Sequence, residues 1–412
     1  MTEKTKDIPA LPSPPKPSTG ITVLAAGFCS LIIAMGIGRF AYTVILPDMM
    51  RVYSFDEATA GIMAGWNYAG YLIGALVMRG EKPGLRRYLL LVFWLFLSLF
   101  TTACMGSTSS ETAWHSIRFF SGLASGGIFV LASAIVFDAL TATGKVVLAG
   151  FLYSGVGTGI ALGGVFTPIL VQYCNPDGAW FGLALLCLPL AAFTCFFLHP
   201  SRAPALPPAT TMPSQTCQQN TNTTNKALRT AYICLLIIYF LEGFGYIIGT
   251  TFLVAVVHMT TKSAFLSGAS WVITGCAAAL TAPFWRLAAM RGGYTPVLSL
   301  AFTLQAIGML LPVFSTSAAA GLGCGLLLGG TFMGITALSL QYGTTLSDKP
   351  SAHTIAIMTV IYGIGQIIGP FVAGFTASGS GGGFSFSFAA AAICLFTAPL
   401  FLWLGNRKGR SQ

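Results

Sequence analysis

The sequence predicts an all-α integral membrane protein of twelve transmembrane helices in two six-helix bundles. Three observations carry that reading. Charged residues make up 8 % of the 412 and hydrophobic residues 55 %, with a mean hydropathy of +0.77, whereas a soluble domain carries about 25 % charge. Apolar runs long enough to cross a ~30 Å hydrocarbon core as helices recur twelve times. Alternating strand patterning is absent, so helices, which satisfy their own backbone hydrogen bonds, are the spanning element.

The runs lie at about 21–47, 58–79, 86–106, 113–138, 145–173 and 180–199, then 230–257, 263–287, 293–314, 317–344, 352–376 and 384–405. Residues 1–20 are polar and Pro-rich, with no short apolar core leading to a small-residue cleavage site, and read as a tail rather than a signal peptide. Residues 200–229 open with prolines and continue through a Thr/Gln/Asn-rich tract, the composition of a flexible polar linker. The chain therefore divides into a tail (1–20), a first bundle (21–199), a linker (200–229), a second bundle (230–405) and a second tail (406–412).

Charge orients the helices. With the N-terminus inside, the cytoplasmic segments hold 17 of the 21 Lys and Arg residues, the outer loops hold only Arg51 and Lys262, and Arg39 and Arg118 lie inside helices. That asymmetry follows the positive-inside rule and puts both termini in the cytoplasm. The net charge of +10 is spread over short loops. It therefore reads as a topology signal, not as a nucleic-acid-binding patch.

The halves repeat. A shift of 207 residues brings Gly36 and Gly38 onto Gly243 and Gly245, Arg79 onto Arg286, and Gly122 and Gly127 onto Gly329 and Gly334; one further residue brings Gly155 and Gly157 onto Gly363 and Gly365. Parallel six-helix repeats about a pseudo-twofold axis along the membrane normal are a transporter architecture, with the substrate site near the midplane between them. Gly155, Gly159 and Gly163, and likewise Gly365, Gly369 and Ala373 with Pro370 as a kink point, form small-residue stripes that read as close-packing and rocking surfaces.

The twelve helices, the central polar linker, and a basic loop after helix two (Arg79 to Arg87) echoed after helix eight (Arg286 to Arg291) resemble the major facilitator superfamily. The stretch Gly36-Ile37-Gly38-Arg39-Phe40-Ala41-Tyr42-Thr43 leading to Leu46-Pro47, together with Gly363-Ile364-Gly365-Gln366-Ile367-Ile368-Gly369-Pro370, resembles its YbfB/YjiJ-type branch. The resemblance implies the fold and secondary active transport by alternating access, and no particular substrate. One departure stands out: the superfamily's acidic residue in the loop after helix two is missing from Gly74-Ala75-Leu76-Val77-Met78-Arg79-Gly80. The expected cytoplasmic gate is instead Arg79, Arg86 and Arg87 around Asp138.

Two intramembrane charges carry the candidate chemistry. Arg39 ends about eighteen apolar or small residues, a position costly enough that such a group normally faces a cavity or a partner. Its planar fork of donors suits a carboxylate, phosphate or sulfonate, or Glu242. Its repeat counterpart is Tyr246 and that of Glu242 is Met35, so the helices repeat but the charges do not. Glu242, near the middle of helix seven, reads either as a proton-coupling or substrate-contacting group or as the static partner of Arg39 or Arg118. Arg118 reads equally as a cavity residue and as a structural group snorkelling toward the interface. Asp48 and Asp138 lie near helix ends and suit loop or gate pairing. The neutral lining candidates are Tyr42, Asn67, Tyr71, Tyr153, Tyr246, Trp271, Gln341, Tyr362 and Gln366, since polar side chains in apolar helices tend to face inward.

No enzyme constellation is visible. The four histidines stand at membrane boundaries without metal-ligand spacing. The ten cysteines form no C-x-x-C pair and read as small packing residues. Gly155-Val156-Gly157-Thr158-Gly159 lacks the Gly-Lys-Ser/Thr ending of a phosphate loop. The expectation is a cofactor-free and metal-free monomer of the bacterial inner membrane, whose partners are a small-molecule substrate, protons and membrane lipids, and which does not bind nucleic acid. The favoured substrate is a carboxylate-bearing anion or zwitterion, and the alternatives are a proton-driven exporter of cations or drugs and, more remotely, a transport-inactive receptor or assembly partner.

Overall fold

The computed structural model describes residues 20–200, 222–349, 351–379 and 383–410, and among them every regular element is helical. The first crossing is α1 (Gly20–Leu31), a six-residue π-helix (Ile32–Ile37) and α2 (Ala41–Tyr53). There follow α3 (Glu57–Val77), α4 (Leu85–Cys104), α5 (Glu111–Ala142) and α6 (Gly150–Phe197). The second half comprises α7 (Asn222–Thr261), α8 (Ala264–Gly292), α9 (Tyr294–Phe314), α10 (Ala318–Leu346) and α11 (Ser351–Gly379), with α12 (Ser385–Phe396) and α13 (Ala398–Arg410) forming the last crossing. Among the described residues, ten segments are long and apolar enough to cross a membrane. One of them, the 48-residue α6, is long enough to cross twice, and the 21-residue α3, which is not among the ten, packs between α5 and α11.

The helix ends follow local chemistry. α6 contains a sharp turn at Asn175, with φ 58° and ψ 176°. Pro176 excludes its predecessor from the right-handed helical region, and Asn tolerates positive φ better than most residues. On the face away from the start of α1, called here the far face, α3, α8 and α10 begin at side-chain caps. Asp56 accepts from the Thr59 amide at 2.9 Å, Ser263 from Leu266 at 3.3 Å and Ser317 from Ala320 at 3.3 Å.

Three expectations about boundaries change. The first crossing does not end at Pro47 but runs on to Tyr53. The linker expected over 200–229 gives way to α7 from Asn222, because 222–229 contains neither Pro nor Gly and nothing stops the helix from propagating backwards past its apolar part. The C-terminal tail expected at 406–412 is helical as far as Arg410. Residues 1–19 and 201–221 lie outside the described residues.

Glycines set the closest helix approaches. A β-carbon on Gly122 would sit 1.9 Å from the Asn67 carbonyl oxygen, and one on Gly70 2.0 Å from that of Phe119, so α3 and α5 pack backbone to backbone. Gly155 and Gly159 face Phe28 and Gly36 within the first half, while Gly365 and Gly369 face α7 within the second. The expected rocking stripes are therefore intrabundle seams. The seams between bundles use other small residues: Gly157 and Gly164 of α6 against Gly275 and Gly268 of α8, and Gly61 of α3 against Pro370 and Gly374 of α11. Large apolar side chains such as Phe93, Phe96 and Phe100 cover the outside, the surface presented to lipid.

Candidate functional site

The site is built on the break in the first crossing. The π-helix runs straight into a turn at 38–40, with the Gly38 amide donating to Ile33 O at 2.8 Å and the Phe40 amide to Met35 O at 3.1 Å. Such a register change frees backbone carbonyls, and insertions of this kind cluster at functional positions. Here α5 takes up the freed groups. Arg118 donates to Gly38 O and Arg39 O, each at 3.3 Å, and Ser121 donates to Gly38 O at 2.8 Å. Arg118 is 1 % exposed and its guanidinium carbon lies 4.5 Å from the Tyr42 ring centroid. It therefore does not snorkel: it is a buried clamp on the backbone of Arg39.

The Arg39 side chain is 2 % exposed. Its guanidinium carbon lies 4.3 Å from the centroid of Tyr71, 4.6 Å from Tyr68 and 5.2 Å from Phe40. Rings at these distances stabilise a cation through their quadrupoles. Arg39 Nε and Nη2 are buried without a hydrogen-bond partner. Three ion pairs form among the described residues, and neither Arg39 nor Arg118 belongs to one.

Facing this from the second half is a column of rings. Tyr239 stacks on Tyr362 at 4.6 Å, Tyr362 on Tyr246 at 5.5 Å, and Tyr246 on Phe332 at 5.5 Å with an interplanar angle of 6°. Tyr246 and Tyr362 lie within electrostatic reach of Arg39. Gln366 donates to the Tyr246 hydroxyl, and its own Oε1 is buried without a partner. Arg39, Tyr71, Tyr246, Tyr362 and Gln366 thus come together between the halves. Tyr68, Tyr239 and Phe332 complete the box without having been singled out from sequence, although Tyr68 stands one turn before Tyr71 and Tyr239 one turn before Glu242.

Above this box, toward the far face, the halves touch. Thr43 donates to Thr250 O at 2.8 Å, the Tyr68 and Thr251 hydroxyls lie 3.0 Å apart, and the Phe40 and Trp271 rings meet edge-on at 6.1 Å. At the rim, Ser378 donates to Asp56 Oδ2 at 2.9 Å.

The other expected residues fall elsewhere. Tyr42 donates to Ala60 O and Asn67 to Arg118 O, at 2.9 and 3.0 Å, and both tie helices together. Tyr153 packs against Phe129 at 5.6 Å. Gln341 is half-buried near the end of α10. Glu242 does not pair with Arg39. It is wholly buried inside the second half, where Gln305 Nε2 donates to its two oxygens at 3.0 and 3.1 Å and Thr331 donates to Gln305 Oε1 at 2.9 Å. Gln305 was legible as the one amide in the apolar run of α9, but nothing in sequence tied it to Glu242.

On the face where α1 starts, Arg87 donates to Asp138 at 2.6 Å and to the Glu81 carbonyl, while Arg86 lies 3.4 Å from the Glu81 carboxylate. The expected Arg87–Asp138 pair forms, and Arg79 joins no ion pair among the described residues. Asp48 pairs locally with Arg51 at 2.8 Å.

A family model described as "Uncharacterised MFS-type transporter YbfB" matches residues 31–402. The chain belongs to this transporter family. Among solved structures, two of the nucleoside transporter NupG superpose with TM-scores of 0.71 and 0.69 at 14 % identity, covering 94 and 95 % of this chain and 99 % of theirs. A bacterial homologue of the lysosomal transporter Spinster, inward-facing and unoccupied, superposes with a TM-score of 0.63 at 13 % identity, covering 94 % of this chain and 95 % of that one. At such identities the likeness establishes the fold. The benzoate transport protein of Acinetobacter baylyi is 25 % identical over 155 residues, which is 36 % of this chain and 32 % of that protein. The chain thus matches about a third of the length of that relative. As a member of the YbfB-type family it is a multi-pass membrane transporter of the major facilitator fold, not an enzyme.

Proposed function

We propose that this transporter moves a small organic carboxylate, in first place an aromatic monocarboxylate, across the bacterial inner membrane by proton-coupled alternating access. The observation that carries the reading is Arg39: a buried guanidinium with two unpartnered nitrogens, no ion pair among the described residues, the rings of Tyr68 and Tyr71 against it, and the Tyr246 and Tyr362 rings within electrostatic reach. A buried charge needs a partner, and a transported anion supplies one. The fork of Arg39 suits a carboxylate in two-point contact, and the rings of Tyr71, Tyr246 and Tyr362 suit a flat apolar body. The partial likeness to a benzoate transport protein supports the same class.

Glu242 is the proposed proton carrier. It is wholly buried with only the neutral Gln305 amide at its oxygens, so ionisation there has no counter-charge. Its enclosure by Gln305 and Thr331 argues against direct contact with a cationic substrate. Protonation drives transport if the two access states bind the proton unequally. The excess of Lys and Arg in the loops on the α1-start face orients that face, with both termini, to the cytoplasm.

The test is benzoate flux in proteoliposomes under an imposed pH gradient. Accumulation that depends on the gradient, is abolished in Arg39→Ala, and is replaced by passive equilibration in Glu242→Gln is the expected result. Flux of benzoate and related acids no greater than in empty liposomes would overturn the reading.

A further inference from the structure

Around Glu242 three side chains form a hydrogen-bonded chain with two ways of being satisfied. Glu242 on α7, Gln305 on α9 and Thr331 on α10 are all buried. Gln305 Nε2 lies 3.0 and 3.1 Å from the Glu242 oxygens. Thr331 Oγ1 lies 2.9 Å from Gln305 Oε1, but also 2.6 Å from Leu327 O and 3.2 Å from Leu328 O of its own helix. A hydroxyl has one hydrogen to give. It serves either Gln305 or the backbone of α10.

The two choices match the two charge states of Glu242. An ionised carboxylate only accepts. The amide nitrogen of Gln305 then faces Glu242, and the Thr331 hydroxyl donates to Gln305 Oε1. A protonated carboxyl must give its hydrogen away, because a buried donor without an acceptor is costly. The amide turned end for end supplies that acceptor. Oε1 then takes the Glu242 hydrogen, Nε2 donates to Thr331 Oγ1, and the Thr331 hydrogen turns back onto Leu327 O, already at 2.6 Å. The two ends of a side-chain amide are nearly alike in shape, so the turn needs no repacking. A mixed arrangement sets donor against donor or acceptor against acceptor.

The Thr331 end of the chain reaches the Arg39 box. A helical hydroxyl bonded to the carbonyl four residues earlier tends to bend its helix. Phe332, the next residue of α10, stacks on Tyr246 at 5.5 Å. Trp285 of α8 lies against the same stretch, donating to Gly330 O at 2.6 Å and leaving no room for a β-carbon at Gly334. Among the described residues, the titratable groups within electrostatic reach of Glu242 are the phenols of Tyr239 on its own helix and Tyr362 on α11, and Glu242 joins no ion pair.

We propose that Gln305 and Thr331 are the positioning residues of a protonation switch: when Glu242 takes a proton, the Gln305 amide turns end for end and the Thr331 hydroxyl swings from Gln305 to the backbone of α10, which changes shape beside Phe332. The only covalent bond formed is the O–H on Glu242, and Thr331 keeps its own proton. The inference rests on the reading of Glu242 as the proton carrier and is independent of the substrate.

The experiment takes the purified full-length protein in nanodiscs, without substrate, through a pH titration read in two ways. Infrared difference spectra report the Glu242 carboxyl as the band missing from Glu242→Gln. Trp285 emission, taken as the difference from the matching Trp285→Phe protein, reports α10. In wild type the two signals are expected to change together with one midpoint. In Thr331→Val the carboxyl band is expected to persist while the Trp285 change is lost, and Thr331→Ser, which keeps the hydroxyl, is expected to restore it. Gln305→Met is expected to lose the Trp285 change as Thr331→Val does. A Trp285 change that keeps its size in Thr331→Val, or that is missing from wild type while the carboxyl titrates, overturns the switch and leaves Glu242 as the carrier. A titration with no band that depends on Glu242 overturns both.

Discussion

Thr43 and Thr250 occupy equivalent positions of the two six-helix repeats, 207 residues apart, and they touch: the Thr43 hydroxyl donates to the Thr250 carbonyl at 2.8 Å. Two equivalent residues of a twofold arrangement meet only at its axis. The contact therefore marks where the pseudo-twofold axis passes between the bundles, just beyond the Arg39 box. The repeat is kept in the backbone seams, since Gly36 abuts Gly159 in one half and Gly243 abuts Tyr362 in the other. It is abandoned in the charges. A symmetric scaffold that moves and an asymmetric centre that discriminates are thus carried by different residues of the same helices.

Arg39 should be irreplaceable by a simple cation. Arg39→Ala is expected to weaken benzoate binding by about 100-fold, the worth of two charge-assisted hydrogen bonds. Arg39→Lys should recover less than about a tenth of wild-type affinity, because an ammonium offers no planar fork and stacks poorly between Tyr68 and Tyr71. Near-complete rescue by lysine, measured by equilibrium binding, would mean that only net charge matters.

Glu242→Gln should separate binding from coupling. The substitution is isosteric and leaves Gln305 with an acceptor, so folding and benzoate affinity are expected to stay within about threefold of wild type. Concentrative uptake driven by pH should fall to equilibration, whereas benzoate–benzoate exchange should continue. Unaltered accumulation in the variant would remove Glu242 from the coupling scheme.

Arg118 and Ser121 position Arg39 through its backbone. Arg118→Ala should raise the half-saturation concentration for flux by at least about tenfold through misplacement of Arg39. Ser121→Ala, which removes one of the three donors to the 38–39 carbonyls, should give a smaller shift in the same direction. Unchanged half-saturation in both, with normal expression, would reduce the clamp to packing.

Gly122 and Gly150 make a matched pair for stability. Alanine at Gly122 drives a β-carbon into the Asn67 carbonyl, whereas nothing lies within 4 Å of a β-carbon at Gly150. Gly122→Ala is expected to destabilise by about 1–3 kcal/mol, and Gly150→Ala to stay within about 1 kcal/mol of wild type. Thermal unfolding followed by tryptophan fluorescence distinguishes them, and equal midpoints would contradict the backbone-to-backbone packing of α3 on α5.

Asp56 should confer an acid-sensitive stability. The Thr59 amide holds its carboxyl below the ordinary aspartate value. A lowered folded value contributes stability above the unfolded value of about 4, and this is lost as pH falls through the folded one. Asn caps a helix as well as Asp, so Asp56→Asn isolates the charge. The melting gap between wild type and Asp56→Asn should be full near about pH 7 and close in strong acid. A gap that widens as the pH falls would have the wrong sign.

The crossings and the importance of Arg39 were legible because lipid imposes them. A span must be apolar for about twenty residues, and an arginine within one is conspicuous. The π-helix was not legible: its residues form an ordinary apolar run, and the break is sustained by Arg118 and Ser121, some 80 residues away, taking up the freed carbonyls. The alternative of a static Arg39–Glu242 pair fails for a related reason. Helix-to-helix rotation aims Glu242 at Gln305 and Thr331 inside its own bundle, and no pattern along one helix reports that angle.

The sequence by itself therefore determined what the membrane and the repeat demand: twelve crossings, two halves and a charge that must be answered. Only the tertiary structure decided which groups answer which. It turned Arg118 from a candidate ligand into a clamp, left Arg39 without an ion pair among the described residues, enclosed Glu242 behind an amide, and placed Thr43 against Thr250 on the axis. Hydropathy acts residue by residue and can be read along the chain. Pairing depends on distances of 3 Å between helices far apart in sequence, and those exist only once the helices have packed.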